Sequence, residues 1–91
     1  MLEVKLSKRS LKFIKGIPAK HATQIGKRVL LLAQNTGEIS SQELKGYAPY
    51  RRAKSGEYRI IYRIEDNILY ITLLGKRNDD DIYRLVERFL K

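Results

Sequence analysis

Two runs of the chain carry side chains suited to binding and polarising phosphate. In Glu57-Tyr-Arg-Ile-Ile-Tyr-Arg-Ile64 the strand period puts Arg59, Ile61 and Arg63 on one face and Tyr58, Ile60, Tyr62 and Ile64 on the other. The preceding run, Tyr50 to Lys54, pairs with it and sets Arg52 or Arg51 beside those cations. Farther on, Gly75-Lys76-Arg77 closes an apolar strand with two more cations at the rim of the same sheet, and Tyr83 follows one turn into a last helix. Exposed arginines on a single strand are routine. Convergence of several is more telling, because a planar guanidinium holds two phosphate oxygens at once and stabilises the charge that builds on them.

The elements that must position these groups are legible in the hydrophobic pattern. Leu2, Val4 and Leu6 alternate with Glu3 and Lys5, which predicts a short strand with one buried face. Ser7 can cap a basic helix carrying Leu11 and Ile14, and Gly16 stops it. Pro18 suits the first turn of a second helix, since its missing N–H has no partner to lose there, and Ala22, Ile25, Val29, Leu32 and Ala33 give that helix its apolar stripe. It should run to about Asn35 and end at Gly37, forming an antiparallel hairpin whose outer face shows Lys20, Lys27 and Arg28. Residues 38–48 are polar and aperiodic, as a loop would be.

Three strands then meander through turns at Ser55-Gly56 and Glu65-Asp66-Asn67, the last of them the run Ile68 to Leu74, apolar on both faces. Asp79, Asp80 and Asp81 place negative charge at the start of the final helix, where the dipole favours it. Ile82, Leu85, Val86, Phe89 and Leu90 form that helix's docking stripe. The order β-α-α-β-β-β-α predicts a small α+β domain, with helices on one face of a mostly antiparallel four-stranded sheet and the opposite face open. Tyr58, Tyr62 and Tyr70 fall on strand faces expected to be packed, so they read as core. His21 has no second histidine near it and reads as a solvated or capping residue.

Bulk composition narrows the function. A chain of 91 residues has room for one core. At that size it buries only about 60 to 65% of its unfolded surface, which favours a stabilising partner. The absence of cysteine excludes disulfides and thiolate metal sites, and one histidine cannot build a zinc site, so neither a metal nor a cofactor is expected. No apolar run is long enough to span a bilayer and the N-terminus lacks a signal-peptide core, so a cytoplasmic protein is expected. Nineteen basic against ten acidic residues give a net charge of +9, which attracts polyanions, nucleic acid foremost. The bias is uneven: residues 1–37 hold eight basic side chains against Glu3 alone.

Taken together, Leu44-Lys45-Gly46, the stretch Tyr50-Arg-Arg-Ala-Lys-Ser-Gly-Glu-Tyr-Arg-Ile-Ile-Tyr-Arg-Ile64, and Gly75-Lys-Arg-Asn-Asp-Asp-Asp-Ile-Tyr83 resemble the signature region of the RelE/ParE toxins, in family order and spacing. Over residues 1–37 only the pattern of elements is shared. The resemblance implies one toxin domain over 1–91 and a type II toxin-antitoxin system, with a cognate antitoxin that wraps the toxin. Operator DNA would be reached only through that antitoxin. In the RNA-cleaving branch it implies a ribosome-dependent endonuclease acting on mRNA in the decoding site of the 70S ribosome. By motif position, the family's catalytic roles fall on Arg59, Arg77 and Tyr83, with Arg52 assisting. Tyr50 stands where some relatives have lysine, so Arg51 or Lys54 would have to supply that cation, and Lys76 stands where members have histidine or lysine. Lys45 and Arg63 are further expected RNA contacts.

These residue types suit attack of a ribose 2′-OH on the adjacent phosphate without a metal. Arginine cannot carry the protons because it stays charged above about pH 12. Tyr83 could serve as base or stack on a nucleobase, and Glu43 and Glu57 are the carboxylate candidates, Glu57 being better explained as a turn residue. Two other readings stay open: a ParE-like inhibitor of DNA gyrase without enzymatic activity, and a silent toxin acting as co-repressor with its antitoxin.

Overall fold

The computed structural model describes residues 1–34, 41–77 and 81–90. The expected ends of the second helix at Asn35 and Gly37, and the placement of Asp79 and Asp80, lie outside the described residues. Element order is β1 (Glu3–Leu6), α1 (Lys8–Lys15), α2 (Ala19–Gln34), β2 (Ser41–Glu43), β3 (Arg51–Ser55), β4 (Tyr58–Glu65), β5 (Ile68–Lys76) and α3 (Asp81–Phe89). The strands form one five-stranded sheet in the order β1-β5-β4-β3-β2, antiparallel except where β1 runs parallel to β5.

Local chemistry accounts for the joints. The Ser7 side chain accepts from the Ser10 N–H at 3.1 Å, capping α1, and the Gly16 N–H closes that helix on the Phe13 carbonyl at 3.0 Å. The β4–β5 hairpin turns through Asp66 and Asn67 at φ 52° and 64°, the left-handed pair that matches strand twist, and Gly56 turns β3 into β4 at φ 59°. The α1 and α2 helices cover one sheet face. There Ile25, Val29, Leu32 and Ala33 meet Ala53, Tyr58, Ile60, Tyr62, Leu69, Ile71 and Leu74, with Phe13 and Ile14 at the margin. Ile60 is fully buried in this layer. Replacing Ile60 with alanine is expected to cost about 2 to 5 kcal/mol, measured by urea unfolding.

The structure corrects the expected architecture in three places. Ser41–Glu43, expected in a loop, is an edge strand paired with β3; three residues are too few to show a period of two. The opposite sheet face is not open throughout. Ile61 and Leu73 project there and are covered by Ile82 and Val86 of α3 and by Leu44, a second apolar cluster distinct from the first. An isoleucine between two arginines is what α3 needs as a seat. Arg9 of α1 ties the helices together, its guanidinium 4.0 Å over the Phe89 ring.

The third correction is a β-bulge. Register shifts between Ile61 and Tyr62, so that Ile61 pairs Leu73 while Tyr62 pairs Ile71, leaving Thr72 as the extra residue. This re-phases β5: Leu69 and Ile71 join Leu74 under the helices, and Tyr70 turns to the other face, out of the core expected for it. The segment entering α1 engages the carbonyls at the bulge, the Ser7 N–H donating to Ile71 O at 3.0 Å. Ser7 donates to Thr72 O at 2.7 Å, and the fully buried Ser10 donates to Ile71 O at 3.3 Å.

Candidate active site

The face that carries Ile61 and Leu73 also carries the cations. Arg52 pairs with Ile61, Lys54 with Arg59, and Gly75 with Arg59, so all of these share one side of the sheet. Arg59 is only 4% exposed and is anchored by Nη1, which donates to the Tyr58 carbonyl at 2.9 Å and the Gly56 carbonyl at 3.1 Å. Burial and the Arg77 and Arg52 charges lower its pKa from the ordinary guanidinium value, while Tyr83 acts in the opposite sense. A guanidinium starts so high that the group stays charged at neutral pH. Cations held this close repel one another, and a phosphate placed among them relieves that repulsion.

Tyr83 enters from α3. Arg52 Nη1 donates to the Tyr83 hydroxyl, Arg52 Nη2 donates to the Gln42 side-chain carbonyl, and the guanidinium carbon lies 5.9 Å from the Tyr83 ring centroid. Gln42 is the cross-strand partner of Arg52 and escaped the sequence reading, because nothing in Ser-Gln-Glu marks a strand. A cavity of about 390 Å³ adjoins this network, lined by Gln42, Glu43, Lys45, Tyr47, Arg52 and Tyr83 among others. Glu43 thus borders the site. Glu57 contributes its backbone, accepting from the Arg77 N–H at 2.8 Å.

Arg52, Arg59, Arg77 and Tyr83 therefore come together, with Lys54 and Lys45 beside them. Arg51 and Lys76 do not. Arg51 pairs with Tyr62 and Lys76 with Tyr58, which places both on the helix-covered side, and Arg51 donates to the Ser41 hydroxyl at 3.2 Å. Of the two cations that could replace the lysine missing at Tyr50, only Lys54 shares the face. Arg63 shares it too but lies four residues along β4 from Arg59, about 13 Å away. His21, expected to be solvated or capping, instead holds Tyr58: Nδ1 is 2.7 Å from the phenol oxygen and the rings pack edge to face.

Gly75 sets how closely α3 approaches. A Cβ there would stand 3.3 Å from the Ile82 Cβ and Cδ1 and 3.4 Å from its Cα. Gly75→Ala is expected to cost about 1 to 3 kcal/mol in urea unfolding and to lower activity as well, since Ile82 immediately precedes Tyr83.

This sheet, backed on one side by a basic helical hairpin and carrying arginines and a helix-borne tyrosine on the other, has a fold similar to that of solved RelE toxins. The isolated E. coli RelE toxin superposes with a TM-score of 0.74 at 20% identity, covering 99% of this chain and 100% of that one. RelE in the archaeal RelE–RelB complex from Pyrococcus horikoshii OT3 gives 0.70 at 25% identity, covering 85% and 96%. The RelB–RelE antitoxin–toxin complex from Methanococcus jannaschii gives 0.65 at 22%, covering 81% and 91%. No curated protein sequence matches significantly. The model of the ParE toxin of type II toxin-antitoxin systems, parDE, matches residues 4–81, so the chain belongs to that toxin family, within the RelE/ParE superfamily and with the RelE-like fold.

Proposed function

We propose that this toxin is a ribosome-dependent endoribonuclease that cuts mRNA in the A site. The observation that carries the reading is that the buried Arg59 shares one sheet face with Arg52 and Lys54, while Arg52 donates to the Tyr83 hydroxyl presented by α3. The ribose 2′-OH gives up its proton to water as its oxygen bonds to the adjacent phosphorus, and the 5′-oxygen, as its bond to phosphorus breaks, takes a proton from water, leaving a cyclic phosphate and a 5′-hydroxyl. Arg59 and Arg77 hold the non-bridging oxygens, where charge accumulates, and Arg52 orients the backbone and Tyr83 together. Tyr83 fixes the nucleotide by stacking. The reaction runs without a metal or cofactor. Lys45 and Lys54 hold flanking phosphates.

The same reading gives the toxin a cognate antitoxin, as the archaeal RelE toxins have RelB in their complexes. The cationic outer face of α2 is suited to an acidic antitoxin and to ribosomal RNA alike. Contact with operator DNA runs through the antitoxin, and the site of action is the cytoplasm. Among the described residues no helix is long and apolar enough to cross a membrane. Expression of the Arg59→Ala, Arg77→Ala double variant is expected to leave growth unchecked where the parent arrests it; arrest by the folded double variant would sink the reading.

The ParE family match supports a second reading, inhibition of DNA gyrase. Loss of supercoiling at low toxin concentration, unaffected by the Arg59 and Arg77 substitutions, would favour it. The tyrosine at position 50 is compatible with a silent co-repressor, which would give neither arrest nor inhibition.

A further inference from the structure

Beyond the edge of α3, the sheet face that carries Arg59 continues into a row of alternating cations and aromatic rings. Lys5 of β1 pairs in register with Tyr70 of β5, and Tyr70 pairs with Arg63 of β4. Val4 packs into the helix-covered core, so Lys5, one residue on, faces the opposite way, with Tyr70. Arg63 lies 4.0 Å over the Tyr70 ring. Together with Tyr50 and Ser7 these side chains line a depression of about 340 Å³. The next row outward, Glu3, Ile68 and Glu65, is acidic at both ends and bounds the basic strip. Glu65 also pairs with Arg63, a surface contact of small worth because the Glu65 side chain is 61% exposed.

We propose that this depression is a subsite for single-stranded RNA, taking one unstacked nucleobase and the phosphate beside it. A guanidinium already lying on one ring offers its outer face to a second, and a base seated there extends the stack begun by Tyr70 and Arg63. Lys5 and Arg63 meet the phosphate. Tyrosines interleaved with cations favour stacked bases over duplex, whose bases are hidden, and they tolerate any base identity because every base has a flat face. The β5 bulge is what makes the row: without it Tyr70 would sit beneath the helices. About 13 Å of sheet separates Arg63 from Arg59, a span of about two nucleotides along an extended strand, so a transcript held at Arg59 reaches the subsite without leaving the face.

This subsite rests on the reading of the protein as an RNA-acting toxin, but it is tested apart from cleavage. A short labelled single-stranded RNA is titrated with the protein by fluorescence anisotropy, alongside the same strand made fully abasic and a DNA duplex of equal length. Tyr70→Leu and Lys5→Gln are each expected to weaken RNA binding about tenfold, with Tyr70→Phe close to the parent. Tyr70→Leu should leave binding of the abasic strand unchanged. Circular dichroism and thermal unfolding establish that each variant is folded, and Lys5→Gln, on an exposed side chain, tests the subsite without touching packing. Equal binding of RNA by parent, Tyr70→Leu and Lys5→Gln, no binding by the parent, or equal preference for duplex DNA would overturn the subsite. Ribosome-dependent cleavage by a parent whose RNA affinity ignores Tyr70 would refute the subsite and leave the endonuclease standing. Tyr70-dependent binding without cleavage on ribosomes would do the reverse.

Discussion

Arg59→Met is expected to lower the rate of mRNA cleavage by about 10²- to 10³-fold while leaving the fold as stable as the parent or slightly more so. The two effects separate because they have different origins. Arg59 is almost wholly buried and feels the charges of Arg77 and Arg52, which together lower its pKa and make its charge costly in the unliganded protein. Methionine fills similar space without that cost, which offsets the donor lost to the Gly56 carbonyl in the turn and to the buried Tyr58 carbonyl. The charge is useful only when phosphate is present. Single-turnover cleavage on programmed ribosomes, with urea unfolding of the same preparations, checks both halves. Strong destabilisation of the Arg59→Met protein would mean that Arg59 serves the fold, and normal cleavage by it would remove Arg59 from the chemistry.

The second large effect concerns Tyr83. If its task is to stack on and orient the nucleotide, Tyr83→Ala should slow cleavage about 10²-fold and Tyr83→Phe should keep most of the parent rate. If the hydroxyl that Arg52 holds also carries a proton, Tyr83→Phe falls toward Tyr83→Ala. Arg52→Ala combined with Tyr83→Ala should cost less than the sum of the two single losses, because each residue positions the other. Additive losses in that double-mutant cycle would show that the contact plays no part in the reaction.

How far the sequence reveals this site depends on how each residue signals itself. Arg59, Arg52 and Tyr83 are legible because strand alternation and motif spacing fix a face. The same alternation separates Arg52 from Arg51, but deciding which of the two joins Arg59 needs the β3–β4 register, and that is set by the turn at Gly56. The docking of α3 on the cationic face is hidden in Ile61, one apolar residue between two arginines. Tyr70 escapes its expected place in the core for a sharper reason. Period-two counting through Ile68 to Leu74 assumes an unbroken ladder, and the extra residue at Thr72 inverts every face beyond it. Only the carbonyls satisfied by Ser7 and Ser10, 65 and 61 residues away in sequence, show why the bulge is stable there. Gln42 has no sequence signal at all, since its role comes from pairing with Arg52 across an edge.

The most direct measurement is primer extension on a defined mRNA incubated with the purified toxin, with and without programmed 70S ribosomes. Cleavage confined to the A-site codon, present only with ribosomes and lost in Arg59→Met, is the expected result. Intact message in both lanes with a folded protein would contradict the endonuclease and turn attention to gyrase.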